Sequence, residues 1–249
     1  MIDPRFKAPT ANSLAGRVIA VTGAGDGIGR AVAMDAAAKG AQVILIGRTS
    51  RKLEAVRSDI VALHGERALI AVLDLEKALA ADYDQLADAI ASHYGRLDGL
   101  VHCAGILGTL TPIEQYDVPT WCKVMHVNVT AAFVLTQVLL PLLRQSPSAS
   151  VLFTSSGVGR VGRAYWGAYS VSKFAIEGLS QVLAAETSGN TNVRVNVINP
   201  GAVRTLMRRQ AFPSEKLESL TLPAAVTPTF LWLLGPDSHG ITGESLDAQ

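Results

Sequence analysis

Tyr169 and Lys173 stand four residues apart, in Tyr169-Ser170-Val171-Ser172-Lys173. On a helix that spacing puts both side chains on one face, a turn from each other. A free phenol titrates near pH ~10, too high for proton exchange at neutral pH. A fixed ammonium beside it favours the phenolate and draws that value down. The pair is therefore a candidate proton-transfer device. The spacing alone is common, since an amphipathic helix that buries a tyrosine and snorkels a lysine produces it too. The rest of the chain has to supply the context.

The elements that would hold such a pair follow from the hydrophobic pattern. Short β-branched runs at 17–22, 42–46, 67–73, 99–102, 150–154 and 193–198 predict buried strands, with a last short one near 241–246. Between them, residues 28–39, 51–63, 83–94, 119–141, 169–186 and 224–234 carry helical periodicity. Strands alternating with helices predict α/β architecture. The expected fold is a single-domain, Rossmann-type, doubly wound parallel sheet of about seven strands with helices on both faces. Residues 1–14, polar and holding two prolines, are expected to form an N-terminal arm rather than a signal peptide.

Composition narrows the function. A net charge of +1 over 249 residues points to neither nucleic acid nor an acidic membrane surface. The apolar run 127–143 is interrupted by Asn128, Thr130, Thr136, Gln137 and Pro141. It falls short of the ~20 residues of a membrane span, so a buried or interface helix is expected. Cys103 and Cys122 form no metal-type cluster, and a reducing cytoplasm suits them.

Thr22-Gly23-Ala24-Gly25-Asp26-Gly27-Ile28-Gly29 joins the first strand to the first helix. Glycines there let the backbone turn tightly and let a pyrophosphate approach the helix N-terminus, where free N–H groups favour anions. The strict G-x-G-x-x-G spacing is absent, but the position suits a dinucleotide. After the second strand come Gly47-Arg48-Thr49-Ser50-Arg51-Lys52, with no carboxylate before Glu54. A ribose-binding acid marks NAD sites, whereas arginine accommodates the 2′-phosphate of NADP. Arg48, aided by Arg51 or Lys52, therefore favours NADP(H) over NAD(H). A solvated basic turn is the alternative.

The glycine turn, Asp74 after the third strand, Ala104-Gly105 after the fourth, Asn128, Ser156, Tyr169-x-x-x-Lys173 and Pro200-Gly201 together resemble the short-chain dehydrogenase/reductase family over essentially the whole chain. Phe153-Thr154-Ser155-Ser156 and Trp166-Gly167-Ala168-Tyr169 suggest its bacterial oxidoreductases. The resemblance implies a catalytic tetrad of Asn128, Ser156, Tyr169 and Lys173. It also implies adenine contacts from Asp74 and Leu75, and a nicotinamide amide held by Val203 and Thr205. Asn128 would support a water linking Lys173 to solvent. The implied reaction is reversible hydride transfer between NADP(H) and a small-molecule carbonyl or alcohol, with Tyr169 as acid/base. No metal is implied. A non-catalytic NADP-binding sensor or scaffold is the alternative, and retention of all four residues argues against it.

Two departures stand out. His102-Cys103 replaces the usual Asn-Asn, and Cys103 is a poor hydrogen-bonding substitute. His102 is expected to be a core or strand-end histidine rather than a base. Second, the chain has few residues after Gly243. The substrate pocket should draw on residues 106–113, 157–166 and 202–222. Arg160, Arg163, Arg204, Arg208 and Arg209 fall in those segments. They suggest an acidic or phosphate-bearing substrate, unless they face solvent, bind cofactor phosphates or form salt bridges. Phe133, Val134, Val138 and Leu139, with Phe174, Ile176 and Leu179, suggest apolar faces for a homodimer or homotetramer.

Overall fold

A computed structural model describes residues 3–189 and 191–249. Seven strands form one parallel sheet in the order β3-β2-β1-β4-β5-β6-β7. They are β1 (Val18–Thr22), β2 (Gln42–Gly47), β3 (Ala68–Val72), β4 (Gly99–His102), β5 (Ala149–Thr154), β6 (Val193–Asn199) and β7 (Ser245–Asp247). Side chains alternate between faces along each strand. Ile19, Val21, Val43 and Leu45 enter one core, beneath α1 (Gly27–Ala38), α2 (Ser50–His64) and α8 (Pro223–Leu234). Val18, Ala20, Ile44 and Ile46 enter the other, beneath α3 (Ala80–Tyr94), α5 (Ala131–Arg144) and α6 (Gly167–Thr187). Burial on both faces explains why these strands are apolar throughout rather than alternating.

The expected elements are present, with three differences. The helix after β4 is continuous but not regular. α4 (Val118–Met125) passes through a π turn at His126–Thr130 into α5, and Pro141 lies inside α5 rather than ending it. Among the described residues this Val118–Arg144 helix is long and apolar enough, by length and composition, to cross a membrane. Leu135, Leu139 and Leu143 on it are fully buried in the core, which marks a core helix. Second, a short helix α7 (Leu206–Ala211) was not expected; six residues carry too little periodicity to announce themselves. Third, the N-terminal arm is not separate: Leu14 is fully buried, and Phe6 packs edge-on against Trp232 with ring centroids 5.8 Å apart.

Candidate active site

A cavity of about 790 Å³ opens along the carboxyl ends of the strands, where the strand order reverses between β1 and β4. The glycine turn lines one end of it. Gly23 has φ +66°, and a Cβ there would lie 3.0 Å from Ala104 backbone atoms. A Cβ on Gly29 would lie 2.5 Å from the Gly23 carbonyl oxygen. Only bare backbone fits, which brings the first N–H groups of α1 to the cavity. Asp26 caps that helix, accepting from Gly27 N at 2.8 Å, and takes the Lys52 ammonium at 2.6 Å. Lys52 therefore braces the turn against α2. Thr22 is not in the cavity wall: its Oγ1 accepts from the N–H groups of Cys103 and Ala104, both at 3.1 Å, and fixes the end of β4.

Arg48 and Thr49 line the same end; Arg51 does not. Among the described residues the Arg48 guanidinium forms no ion pair. Asp74, Leu75, Ala104, Gly105, Pro200, Gly201, Val203 and Thr205 complete the walls, together with Gly25, Gly27 and Ile28. The residues fit a phosphorylated dinucleotide: a cradle that tolerates no side chain, a helix N-terminus, and an arginine without a neighbouring acid at the end of β2. Among the described residues no cluster of three metal-ligating side chains occurs.

α6 brings Tyr169 and Lys173 to the middle of the cavity, 8% and 6% exposed. Lys173 Nζ donates to the Thr154 carbonyl at 2.7 Å and lies 5.5 Å from the Tyr169 ring centroid. Ser156 stands close enough to Tyr169 to favour its phenolate. Burial dominates both titrations. It pushes the phenol up to about 12 against the opposing effect of Ser156, and the ammonium down to about 8, with the charge of Glu177 resisting. For the phenol, desolvation is the larger effect and Ser156 the one that opposes it.

Asn128 lies within the π turn, 3% exposed, behind the cavity wall. Its Oδ1 accepts from Ile106 N at 2.8 Å, and its Nδ2 donates to Ile106 O and to Ser172 Oγ, both at 3.0 Å. Ser172 Oγ in turn donates to the Tyr169 carbonyl at 2.7 Å. The side chain thus clasps the loop after β4 to α6, with both amide protons placed and one Oδ1 lone pair in use. His102 is a core residue: it stacks on Phe153 at 4.8 Å, meets Thr136 Oγ1 at 2.9 Å, and burial drives its pKa down to about 3. Cys103 Sγ reaches Thr154 Oγ1 at 3.4 Å, a weak tie between β4 and β5.

Over Tyr169 sits a lid. Tyr165 adopts φ +72°, unusual for an aromatic residue, and its carbonyl accepts from Thr111 N at 3.0 Å. The turn there delivers Trp166 to the cavity. α7 closes from the other side, its segment pinched at the neck by a Val203–Thr221 bridge. Gln249 joins both stems of that neck, donating to the Pro200 carbonyl and accepting from Thr221 Oγ1. The five arginines of these segments do not present charge to Tyr169. Arg160, Arg163, Arg204 and Arg209 are outside the cavity wall. Arg160 pairs with Asp247 at 2.7 Å, and Arg208 is held bidentate by Glu215 at 2.5 and 2.6 Å. Of the alternatives the sequence left open for these arginines, salt bridging is the one that Arg160 and Arg208 meet.

A family model described as short chain dehydrogenase matches residues 17–216. The oxidoreductase YciK of Escherichia coli K12 is 50% identical over 241 residues, 97% of this chain and 95% of that protein. A solved structure from Pseudomonas syringae, described as a short chain dehydrogenase, superposes with a TM-score of 0.97 at 52% identity, covering 100% of both chains. Another, from Escherichia coli CFT073 and complexed with NADPH, superposes at 0.94 with 51% identity, covering 97% of this chain and 100% of that one.

Proposed function

The chain belongs to the short-chain dehydrogenase family, and on that premise we propose that it moves hydride reversibly between NADP(H) and the carbonyl or alcohol carbon of a small molecule. The observation that carries this is the meeting of Tyr169, Ser156 and Lys173 in a cavity whose other end offers a glycine cradle and Arg48. The likeness to a protein solved with NADPH supports the cofactor. Asp26 to Gly29 would face its pyrophosphate, Arg48 and Thr49 its 2′-phosphate, and Asp74 and Leu75 its adenine. Val203 and Thr205 would hold its carboxamide. When bound, the nicotinamide supplies or accepts the hydride.

The proton steps belong to the protein. Tyr169, neutral at neutral pH because it is buried, gives the proton on Oη to the substrate oxygen as the alcohol forms. Ser156 Oγ donates a hydrogen bond to the same oxygen. The Lys173 ammonium stabilises the phenolate left behind, and in the reverse direction the phenolate takes the proton back. Asn128 acts at one remove by fixing α6 against the loop after β4. With Lys173 titrating at about 8, reduction should slow as pH rises through that value and the ammonium discharges. A kcat/KM profile over the alkaline range checks this; a flat profile contradicts it.

Arg48→Asp tests the cofactor. Losing a charged hydrogen-bond pair of ~1.5–3 kcal/mol should weaken NADPH by about 10- to 150-fold and leave NADH equal or tighter. Calorimetric titration of both cofactors decides it, and tighter NADH binding to the unaltered protein would refute the assignment.

We further propose a cytoplasmic homodimer or homotetramer. Leu139 and Ile176, expected on the contact face, are in the core at 0% and 3% exposure. Phe133 and Phe174 at 45%, with Val171 at 42% and Val182 at 57%, leave an apolar surface along α5 and α6 that supports self-association. Sedimentation of the purified protein as a monomer at micromolar concentration would count against it.

A further inference from the structure

The lid and the wall above Tyr169 form a third hydrophobic cluster, separate from the two cores. Leu107, Trp166 and Tyr169 are its buried members, with Leu110, Val158, Met207, Ala211 and Phe212 packed against them. Trp166 is 9% exposed, yet it lines the cavity. Its ring lies 5.8 Å from that of Tyr169, at 57°, and 5.7 Å from that of Phe212, at 40°. Two arginines contact its aromatic rings. Arg163 sits 5.8 Å from the Trp166 centroid and 5.4 Å from that of Phe212. Arg208 lies 3.9 Å over Phe212 while its charge is taken by Glu215. These basic side chains brace the aromatic wall by cation–π contact, and Glu215 takes the charge of Arg208, the one of the two that lines the cavity.

We infer that this wall is a substrate subsite for a neutral, ring-bearing ketone or secondary alcohol, its ring against Trp166 and Met207 and its oxygen at Tyr169 and Ser156. The inference rests on the reaction proposed above. Aromatic rings offset against a flat partner contribute beyond their buried area, and a thioether adapts to the remaining outline. An anionic group in the same place would lose its hydration against apolar side chains, with the Arg208 charge already taken by Glu215.

Three matched ketones test the subsite: acetophenone, 4-acetylbenzoate and hydroxyacetone, each with NADPH, against the wild type, Trp166→Ala and Trp166→Phe. For the wild type, KM for acetophenone should be at least tenfold below that for 4-acetylbenzoate. Trp166→Ala should raise KM for acetophenone more than tenfold and for hydroxyacetone less than threefold, and Trp166→Phe should recover most of the loss. Equal or lower KM for 4-acetylbenzoate, or a loss in Trp166→Ala shared by hydroxyacetone, overturns the subsite. Saturation-transfer NMR of acetophenone on the NADP⁺-loaded protein separates the two readings. If none of the ketones turns over but acetophenone binds, and binds more weakly to Trp166→Ala, the subsite stands and the reaction fails. Undiminished binding to Trp166→Ala, or no binding to the wild type, overturns the subsite whatever the turnover.

Discussion

Two cations lie inside this protein with the same exposure, 6% each: Arg194, at the amino end of β6, and Lys173, beside the carboxyl end of β5. Burial lowers both, Arg194 to about 10 and Lys173 to about 8. Their surroundings differ. Arg194 donates to four acceptors: Ser238 O at 3.1 Å, Ser238 Oγ at 2.9 Å, Leu233 O at 2.9 Å and Gly235 O at 3.4 Å. These carbonyls close the C-terminal end of α8, where a positive charge also meets the helix dipole. Lys173 has Thr154 O as its hydrogen-bond acceptor among the described residues, and its ammonium has two further protons to place. The amino end of the sheet buries a charge and meets it with four acceptors, leaving Nε without a partner. The carboxyl end buries one and leaves it near its titration point. That difference separates a structural cation from a working one better than burial or pKa direction alone.

The largest test is on activity. Tyr169→Phe should cost ~10²- to 10⁴-fold in turnover, the range expected for loss of a general acid, with NADPH affinity retained. Lys173→Met should cost turnover on the same scale and weaken NADPH. Its folded state should nonetheless be as stable as the wild type or more so at neutral pH, because an under-satisfied buried charge is gone. Scanning calorimetry beside kcat measurements checks both halves. A clear fall in melting temperature for Lys173→Met would erase the contrast.

Arg194→Met should behave in the opposite way. It removes the guanidinium donors from the carbonyls that close α8 and should cost ~1–3 kcal/mol of stability, the range for leaving buried acceptors under-satisfied. Urea denaturation measures it. The fraction that remains folded should turn over within a few-fold of the wild type, since Arg194 is far from the cavity wall.

The smallest test concerns His102, which the fold buries without charge. Its folded pKa is about 3 against an ordinary value of 6.5, so between those values the unfolded chain binds the extra proton. The stability this represents is present above about pH 6.5 and is lost as pH falls toward 3. His102→Leu should flatten that acid limb, by about 1–2 kcal/mol between pH ~6.5 and ~5. Identical limbs in wild type and variant would show that other groups carry the acid sensitivity.

Much of this was open to inspection in the chain itself. Strands buried on both faces leave unbroken apolar runs, and a phosphate turn leaves glycines at positions where no Cβ fits. Tyr169 and Lys173 are related by one helical turn, the shortest-range geometry there is. The remainder depends on partners far away in sequence. Arg160 looked like a pocket residue until Asp247, 87 positions later, claimed it. The Ile106 peptide, 22 positions earlier, takes both ends of the Asn128 amide, a pairing that no local spacing shows. Leu139 and Ile176 looked like contact residues because periodicity marks an apolar face without saying whether it meets the sheet or a partner. α7 was hidden by its brevity, and the π turn by having no pattern of its own.

The π turn at His126–Thr130 also has a consequence for length. A π turn holds one more residue than the α turn it replaces, while the helices on either side keep their phase. Deleting a single residue within it should restore an uninterrupted α-helix, with Leu135, Leu139 and Leu143 still facing the sheet. Asn128 or its successor would be swung off the Ile106 peptide and Ser172. Here an indel of one residue, usually the harshest change a core helix can suffer, should cost the enzyme its alignment and leave its architecture standing. Descent with such a deletion is a short route from this scaffold to a folded protein that has stopped doing chemistry.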